Sequence, residues 1–222
     1  MFIRRTGACI AIGLEQVMSE SEVKNIVFDI GNVVVRWDPS LIAARTFTSE
    51  RVNDDFVRSI FGHEIWYKLN RGELSENEAK SGYCEYLGLD QSEVDALFFN
   101  VKDTQELIEG TTALMARLSV AGYRLFALTD NVHEIVAYLK RRYDFWDLFN
   151  GAAVSAELGC LKPSKEIYNR LLLDNDIKAD ETVFFDDIKR NVEGANKVGI
   201  RAFQFTGSTQ AEADLKSLYL DF

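Results

Sequence analysis

Side chains that build zinc sites or disulfide frameworks are scarce in this chain: 222 residues hold two histidines, His63 and His133, and three cysteines, Cys9, Cys84 and Cys160. The cysteines are far apart and odd in number, so neither a disulfide scaffold nor a CxxC metal knuckle is suggested, and the usage suits a reducing cytoplasm. Neither histidine has the partner spacing of a metal site, and both are expected on solvated helix faces. Positive charge is also short. Lys+Arg 25 against Asp+Glu 35 gives a formal net charge of -10, which argues against a nucleic-acid partner held by basic side chains. A small phosphate ester is not excluded, because a metal ion and one or two local cations reverse the field inside a cleft. Only two prolines, Pro39 and Pro163, punctuate the chain, and no repeat, low-complexity tract or transmembrane run is found, so no membrane partner is expected. What is there is 47% hydrophobic, long enough for one full core and a modest insertion.

The first residues, Met1 to Arg5 followed by Ala8 to Leu14, resemble a signal peptide only faintly, since the apolar stretch is short and Gly-interrupted and lacks a clear cleavage site. A loose extension over residues 1–22, or a start at Met18, is the alternative. Beyond it, five β-branched or aromatic runs stand out, at Asn25 to Asp29, Arg124 to Thr129, Ala152 to Ser155, Thr182 to Asp186 and Arg201 to Phe205. Helical spacing lies between the last four: Leu114, Met115 and Leu118 share a face, as do Ile135, Val136 and Leu139, and Ile167, Leu171 and Leu172. Strands alternating with helices predict an α/β fold, a Rossmann-like, doubly wound parallel sheet.

About eighty residues separate the first strand from the helix before the second, too many for an ordinary connection. Their pattern is helical. Asp38-Pro39 supplies a cap and first turn, Val52, Phe56, Val57 and Ile60 form a stripe, and Ser75 with Glu78 and Asp90 with Glu93 make capping boxes. The expected organisation is an extension at 1–22, an α/β core at 23–38 and 110–222, and a small inserted all-helical cap domain at 39–109.

The strand ends carry the chemistry. Asp29 closes the first run, Thr129 the second, Lys162 lies in a Gly-containing loop after the third, and Asp186-Asp187 close the fourth. Open α/β sheets place ligands at the carboxyl ends of their strands. Each residue also has a plain structural reading: Asp29 a turn cap, Thr129 a strand-end hydroxyl, Lys162 a solvated cation, and the acidic pair a favourable charge at a helix N-terminus.

In this order the four positions resemble the motifs of the haloacid dehalogenase-like (HAD) hydrolase superfamily, over about Asn25 to Phe205. Phe28-Asp29-Ile30-Gly31-Asn32-Val33 with Arg36-Trp37-Asp38-Pro39, and Phe184 to Asn196, resemble the subgroup with a helical cap after the first strand, which includes bacterial sugar-phosphate phosphatases such as α-D-glucose-1-phosphate phosphatase. The resemblance implies that Asp29 accepts a phosphoryl group as an aspartyl-phosphate. It implies Mg²⁺ held by Asp29, the Gly31 carbonyl and Asp187, with Asp186 as ligand or support. Thr129 would bind a phosphoryl oxygen, Lys162 would pair with Asp29 and the phosphate, and Asn191 would steady the acidic loop. Asn32, Asn131, Trp66 and Arg71 are the substrate-binding candidates, the last two from a Trp-x₄-Arg-Gly segment that the resemblance places near the cleft; Trp66 equally reads as a core aromatic.

Two positions depart from the family pattern. The second Asp that commonly serves as general acid/base is Gly31 here, and Asp130 stands where Asn often follows the hydroxyl residue. A substrate with a good leaving group, an acid/base from the cap, or Asp130 itself would fill the gap. The function expected is Mg²⁺-dependent hydrolysis of a small phosphorylated metabolite, a sugar phosphate favoured, in the cytoplasm. The alternatives are a 2-haloacid dehalogenase, against which the acidic pair counts, and a non-catalytic phosphometabolite-binding protein.

Overall fold

The computed structural model describes residues 22–222; Cys9, Met18 and the signal-like start fall outside them. Five strands form one parallel sheet in the order β3-β2-β1-β4-β5: β1 Asn25–Phe28, β2 Arg124–Thr129, β3 Gly151–Val154, β4 Thr182–Asp186 and β5 Arg201–Gln204. Every neighbouring pair is parallel. From β1 the chain steps outward through β2 to β3, then returns across β1 to lay down β4 and β5, so the order reverses between β1 and β4. Ligands of open α/β sheets sit at such a switch point.

Both faces of the sheet are covered, which is why its strands read as continuous apolar runs. Alternation sorts them. Ile26, Phe28, Leu125, Ala127, Val183 and Phe185 enter one core, while Val27, Phe126, Leu128 and Phe184 enter the other. The second is closed by α9 (Lys165–Asp174) and α10 (Lys189–Asn196). Along α9 the buried residues are Ile167, Tyr168 and Leu171; Leu172, expected on that face, is half-buried, because Tyr168 takes the place beside Ile167. The first core receives α6 (Thr111–Val120), α7 (His133–Arg142) and α11 (Ser208–Ser217), with Leu114, Met115, Leu118, Ile135, Val136 and Leu139 all buried.

Between β1 and α6 lie five helices: α1 Pro39–Thr46, α2 Asp54–Phe61, α3 Glu64–Asn70, α4 Glu76–Leu87 and α5 Gln91–Asp103. Local chemistry starts each one. Asp38 accepts the Leu41 N–H ahead of Pro39, and capping boxes begin α4 at Ser75 and α5 at Asp90. His63 is not on a solvated face as expected; its Nδ1 caps α3 by accepting the Ile65 N–H at 3.2 Å, and its ring stacks on Tyr86 at 3.8 Å. The two connections to this helical insertion run side by side. Val35 bridges Leu107, Arg36 N–H donates to Glu106 O at 2.8 Å, and Ile108 N–H donates to Val34 O at 2.8 Å. No helix among the described residues is long and apolar enough to cross a membrane.

Candidate active site

The carboxyl ends of β1, β2 and β4 open into a cavity of about 230 Å³ roofed by the helical insertion. Asp29 directly follows β1 and is buried, with Oδ1 accepting the Ile30 N–H at 2.7 Å. Thr129, the last residue of β2, is buried and lines the cavity. Lys162 arrives from the loop before α9. Its ammonium, almost wholly shielded from water, lies 2.9 Å from Asp29 Oδ2 and 2.7 Å from Asp186 Oδ2, and donates to Leu128 O at 3.2 Å.

The two acidic residues after β4 are not equivalent. Asp186 is fully buried and is not part of the lining: Oδ1 accepts the Ile188 N–H at 2.8 Å and Asn191 Nδ2 at 3.0 Å, and Oδ2 faces Lys162 and Asn191. Asp187 is half-buried, lines the cavity, and accepts Asn32 Nδ2 at 3.2 Å. Asn32 has φ 55, a left-handed conformation that Asn tolerates, and its Oδ1 accepts the Trp37 N–H at 2.9 Å. It ties the β1 loop to the β4 loop and also lines the cavity.

The electrostatics follow from crowding. Burial lifts the Asp29 carboxyl well above its usual range, Lys162 opposes that, and Asp186 and Asp130 reinforce it. Asp187 is raised by burial and then by Asp186. Burial works against the Lys162 ammonium, yet Asp29, Asp186 and Asp130 together hold its pKa above the ordinary lysine value. Lys162 thus faces four carboxylates, with Arg190 acting beside it on Asp130. Oxygens of Asp29, Asp186 and Asp187, one from each, lie within 4.8 Å of one another. A hard oxygen-only donor set with surplus negative charge fits a divalent cation such as Mg²⁺.

Asp130 also lines the cavity. Its Oδ1 accepts the Lys162 backbone N–H at 3.0 Å, and burial raises its pKa against the pull of Lys162. Gly31 lines the cavity too; a Cβ there would meet only Trp37, at an ordinary 3.5 Å. Asn131 accepts the Val132 N–H through Oδ1 at 2.9 Å, while its own N–H donates to Ser155 Oγ at 2.8 Å. Ser155 was expected to end the third strand. It instead opens α8 (Ser155–Leu158), and its buried hydroxyl donates to Asn70 O at 2.6 Å, joining the insertion to the site. The approach is close: Gly72, at φ 68, would place a Cβ 2.2 Å from Ala156 O, so no side chain fits there.

Trp66 is buried and lines the cavity, stacked on Trp37. Arg71 does not line it, contrary to expectation, because its guanidinium turns to Glu64, 2.8 Å away, and to Glu73. The cation that joins Lys162 in the lining is Arg190, in the first turn of α10. Its signal was present in the sequence, a basic residue three positions after Asp187. Trp37 and Phe61 also line the cavity; Trp37 stood in the segment that carries the resemblance, and Phe61 carried no advance sign beyond being aromatic.

Residues 41–205 match the haloacid dehalogenase-like hydrolase family. A sesquiterpene phosphatase, astK, from Aspergillus oryzae is 28% identical over 195 residues, spanning 88% of this chain and 96% of its own length. A D-ribitol-5-phosphate phosphatase from Bacteroides thetaiotaomicron is 26% identical over 198 residues, 82% of this chain and 91% of that protein. Among solved structures, a HAD family enzyme from Bacteroides thetaiotaomicron in complex with magnesium and inorganic phosphate superposes with a TM-score of 0.71 at 20% identity, covering 83% of this chain and 95% of that one.

Proposed function

The chain belongs to the haloacid dehalogenase-like hydrolases, and from that premise we propose that it is a Mg²⁺-dependent phosphatase hydrolysing a small organic phosphate monoester through an aspartyl-phosphate on Asp29. The observation that carries this reading is the Lys162 ammonium bridging Asp29 and Asp186, with Thr129 and Asp187 around the same cavity. Phosphoryl transfer asks a protein for position and charge stabilisation more than for covalent chemistry. A carboxylate beside a buried ammonium, facing a hydroxyl donor, offers both.

The steps balance. An Asp29 oxygen bonds to phosphorus as the bond to the leaving alcohol breaks; the alcohol takes a proton from Asp130, which then accepts one from the water that splits the aspartyl-phosphate. Asp130 is our candidate for this work because it is a raised carboxyl in the lining, and the Gly31 position has no side chain. Lys162 and Thr129 hold the phosphoryl oxygens as charge builds. Asp29, the Gly31 carbonyl and Asp187 would hold Mg²⁺, with Asp186 fixing Lys162 and Asn191 steadying Asp186. When bound there, the ion neutralises phosphate charge that the lone ammonium cannot. Residues 39–109 act as the cap over a core of 23–38 and 110–222, excluding bulk water. The free thiols of Cys84 and Cys160 suit the cytoplasm.

The sugar phosphate favoured by the sequence has one relative on its side, the ribitol-5-phosphate phosphatase, and one against it, the sesquiterpene phosphatase. The test of the reaction itself uses p-nitrophenyl phosphate, whose leaving group needs no acid. Turnover should require Mg²⁺, stop in EDTA, and fall by about 10⁴-fold or more in Asp29→Asn. Turnover surviving in Asp29→Asn would exclude Asp29 as nucleophile, and none in the unmodified protein would favour a binding role.

A further inference from the structure

Part of the cavity lining is built from aromatic rings. Trp37 and Trp66 stack 5.6 Å apart at 16°, and Phe61 meets both edge-on at 5.5 and 5.2 Å. Ile135 and Leu161 extend this apolar lining. Two polar side chains of the lining spend an N–H on the backbone: the Asn70 amide donates to Trp66 O at 2.8 Å and the Gln105 amide to Val101 O at 2.9 Å. Arg71, which could have met hydroxyls, is turned to Glu64 and Glu73.

A polyol laid against these rings would strip water from several hydroxyls and find no partner on the ring faces, a penalty that falls on every unmatched group. An apolar group loses nothing. Size adds a second constraint: about 230 Å³ lies below the roughly 300 Å³ lower bound of sites that enclose a typical small molecule. A longer chain must therefore leave through the rim. Of the lining residues, Tyr67 and Ile188 are 40% and 41% exposed and so reach the rim.

Resting on the phosphatase reading, we infer that the alcohol released is apolar: the substrate is the phosphate monoester of a hydrophobic alcohol, with its phosphate at Asp29, its first carbons against the Trp37-Phe61-Trp66 unit, and the rest running out past Ile188. Mg²⁺-supported kcat/KM for geranyl phosphate, ribitol 5-phosphate and p-nitrophenyl phosphate tests it. Geranyl phosphate should exceed ribitol 5-phosphate by at least about tenfold, the scale on which apolar pockets discriminate. Trp66→Gln should erase that preference, chiefly through the KM for geranyl phosphate. Since Trp66 is packed and its loss endangers folding, Ile188→Asn at the exposed rim provides the second readout, lowering the geranyl-to-ribitol ratio by about fivefold or more. Ribitol 5-phosphate turned over as well as geranyl phosphate, or a ratio untouched by Ile188→Asn, would overturn the inference while leaving the phosphatase intact. No phosphate released from any of the three esters would remove both.

Discussion

The floor of the cavity and its roof solve different problems. Along the floor, the ladders of β1, β2 and β4 fix the height of each residue, so Asp29, Thr129 and the Asp186-Asp187 pair emerge at one edge, and a single buried ammonium knits two of them together. The roof is carried by helices that belong to no sheet, and there the side chains pack on one another: Trp37 on Trp66, with Phe61 edge-on to both. Charge placed to within a bond length suits transfer of a phosphoryl group, while a surface of rings suits selecting what the group leaves behind. Reaction and selection can then vary separately, and variants should show it.

The largest effect is expected on the floor. Lys162→Met should lower turnover at least about 10³-fold and, by stranding Asp29 and Asp186 without their cation, cost about 3–5 kcal/mol of stability at neutral pH. Urea titrations should show that deficit shrinking in acid, where Asp29, its pKa raised by burial, takes up a proton. Next comes Asp130→Asn, which should slow hydrolysis of alkyl phosphates about 10²-fold and p-nitrophenyl phosphate far less, and should remove one limb of the pH–rate profile. Adding Gly31→Asp to that variant should recover activity, because the space at Gly31 admits a side chain; a double variant no better than the single one would argue that Asp130 supports the loop instead of moving protons.

Metal binding should register as a pH-dependent shift in melting temperature. Asp29, Asp130 and Asp187 are held above their ordinary pKa by burial, so the folded protein keeps protons that the unfolded chain gives up. These carboxyls favour the metal-free fold at low pH and count against it as pH climbs from the ordinary carboxylate value through the raised ones. Mg²⁺ competes with the same protons. Melting with and without EDTA should therefore show a larger gain from Mg²⁺ at pH 8 than at pH 5, each kcal/mol moving the midpoint by about 2–4 °C in a chain of this size.

Smaller changes probe where floor meets roof. Ser155→Ala removes the hydroxyl that links Asn131 to Asn70, and chemical denaturation should register a loss of about 1–3 kcal/mol for the buried groups left unpaired. Arg71→Ala should matter least. Its ion pairs are partly exposed, worth under about 1 kcal/mol, and kcat/KM should stay near that of the unmodified protein; a tenfold loss would return Arg71 to the roof's working surface.

The same contrast explains what the sequence disclosed. Strand-end chemistry was legible because an apolar run that stops on Asp or Thr fixes both the element and the edge to which its last residue belongs. Helix caps were legible because Asp38, Ser75 and Asp90 act on neighbours three residues away. Ser155 was misassigned by one element because Val154-Ser155 reads as strand until Asn70 is known to accept the hydroxyl from a distant part of the chain. The turn of Arg71 away from the cavity depends on Glu64 and Glu73 competing for it, and the presence of Phe61 in the lining depends on how α2 meets the ring pair of Trp37 and Trp66. Neither has a period or a spacing that a linear pattern reveals.

The bridge between Val35 and Leu107 gives the roof a modular character. Because the chain departs and returns through neighbouring residues, everything between Arg36 and Glu106 is attached to the core as a cassette, its two ends already paired by a hydrogen bond. A cassette from a relative with a different preference can be spliced at that seam without altering the length or register of β1 or α6. Catalytic competence would stay with the recipient, while the Trp37-Phe61-Trp66 part of the lining would travel with the graft and the Ile135, Leu161 and Ile188 part would not.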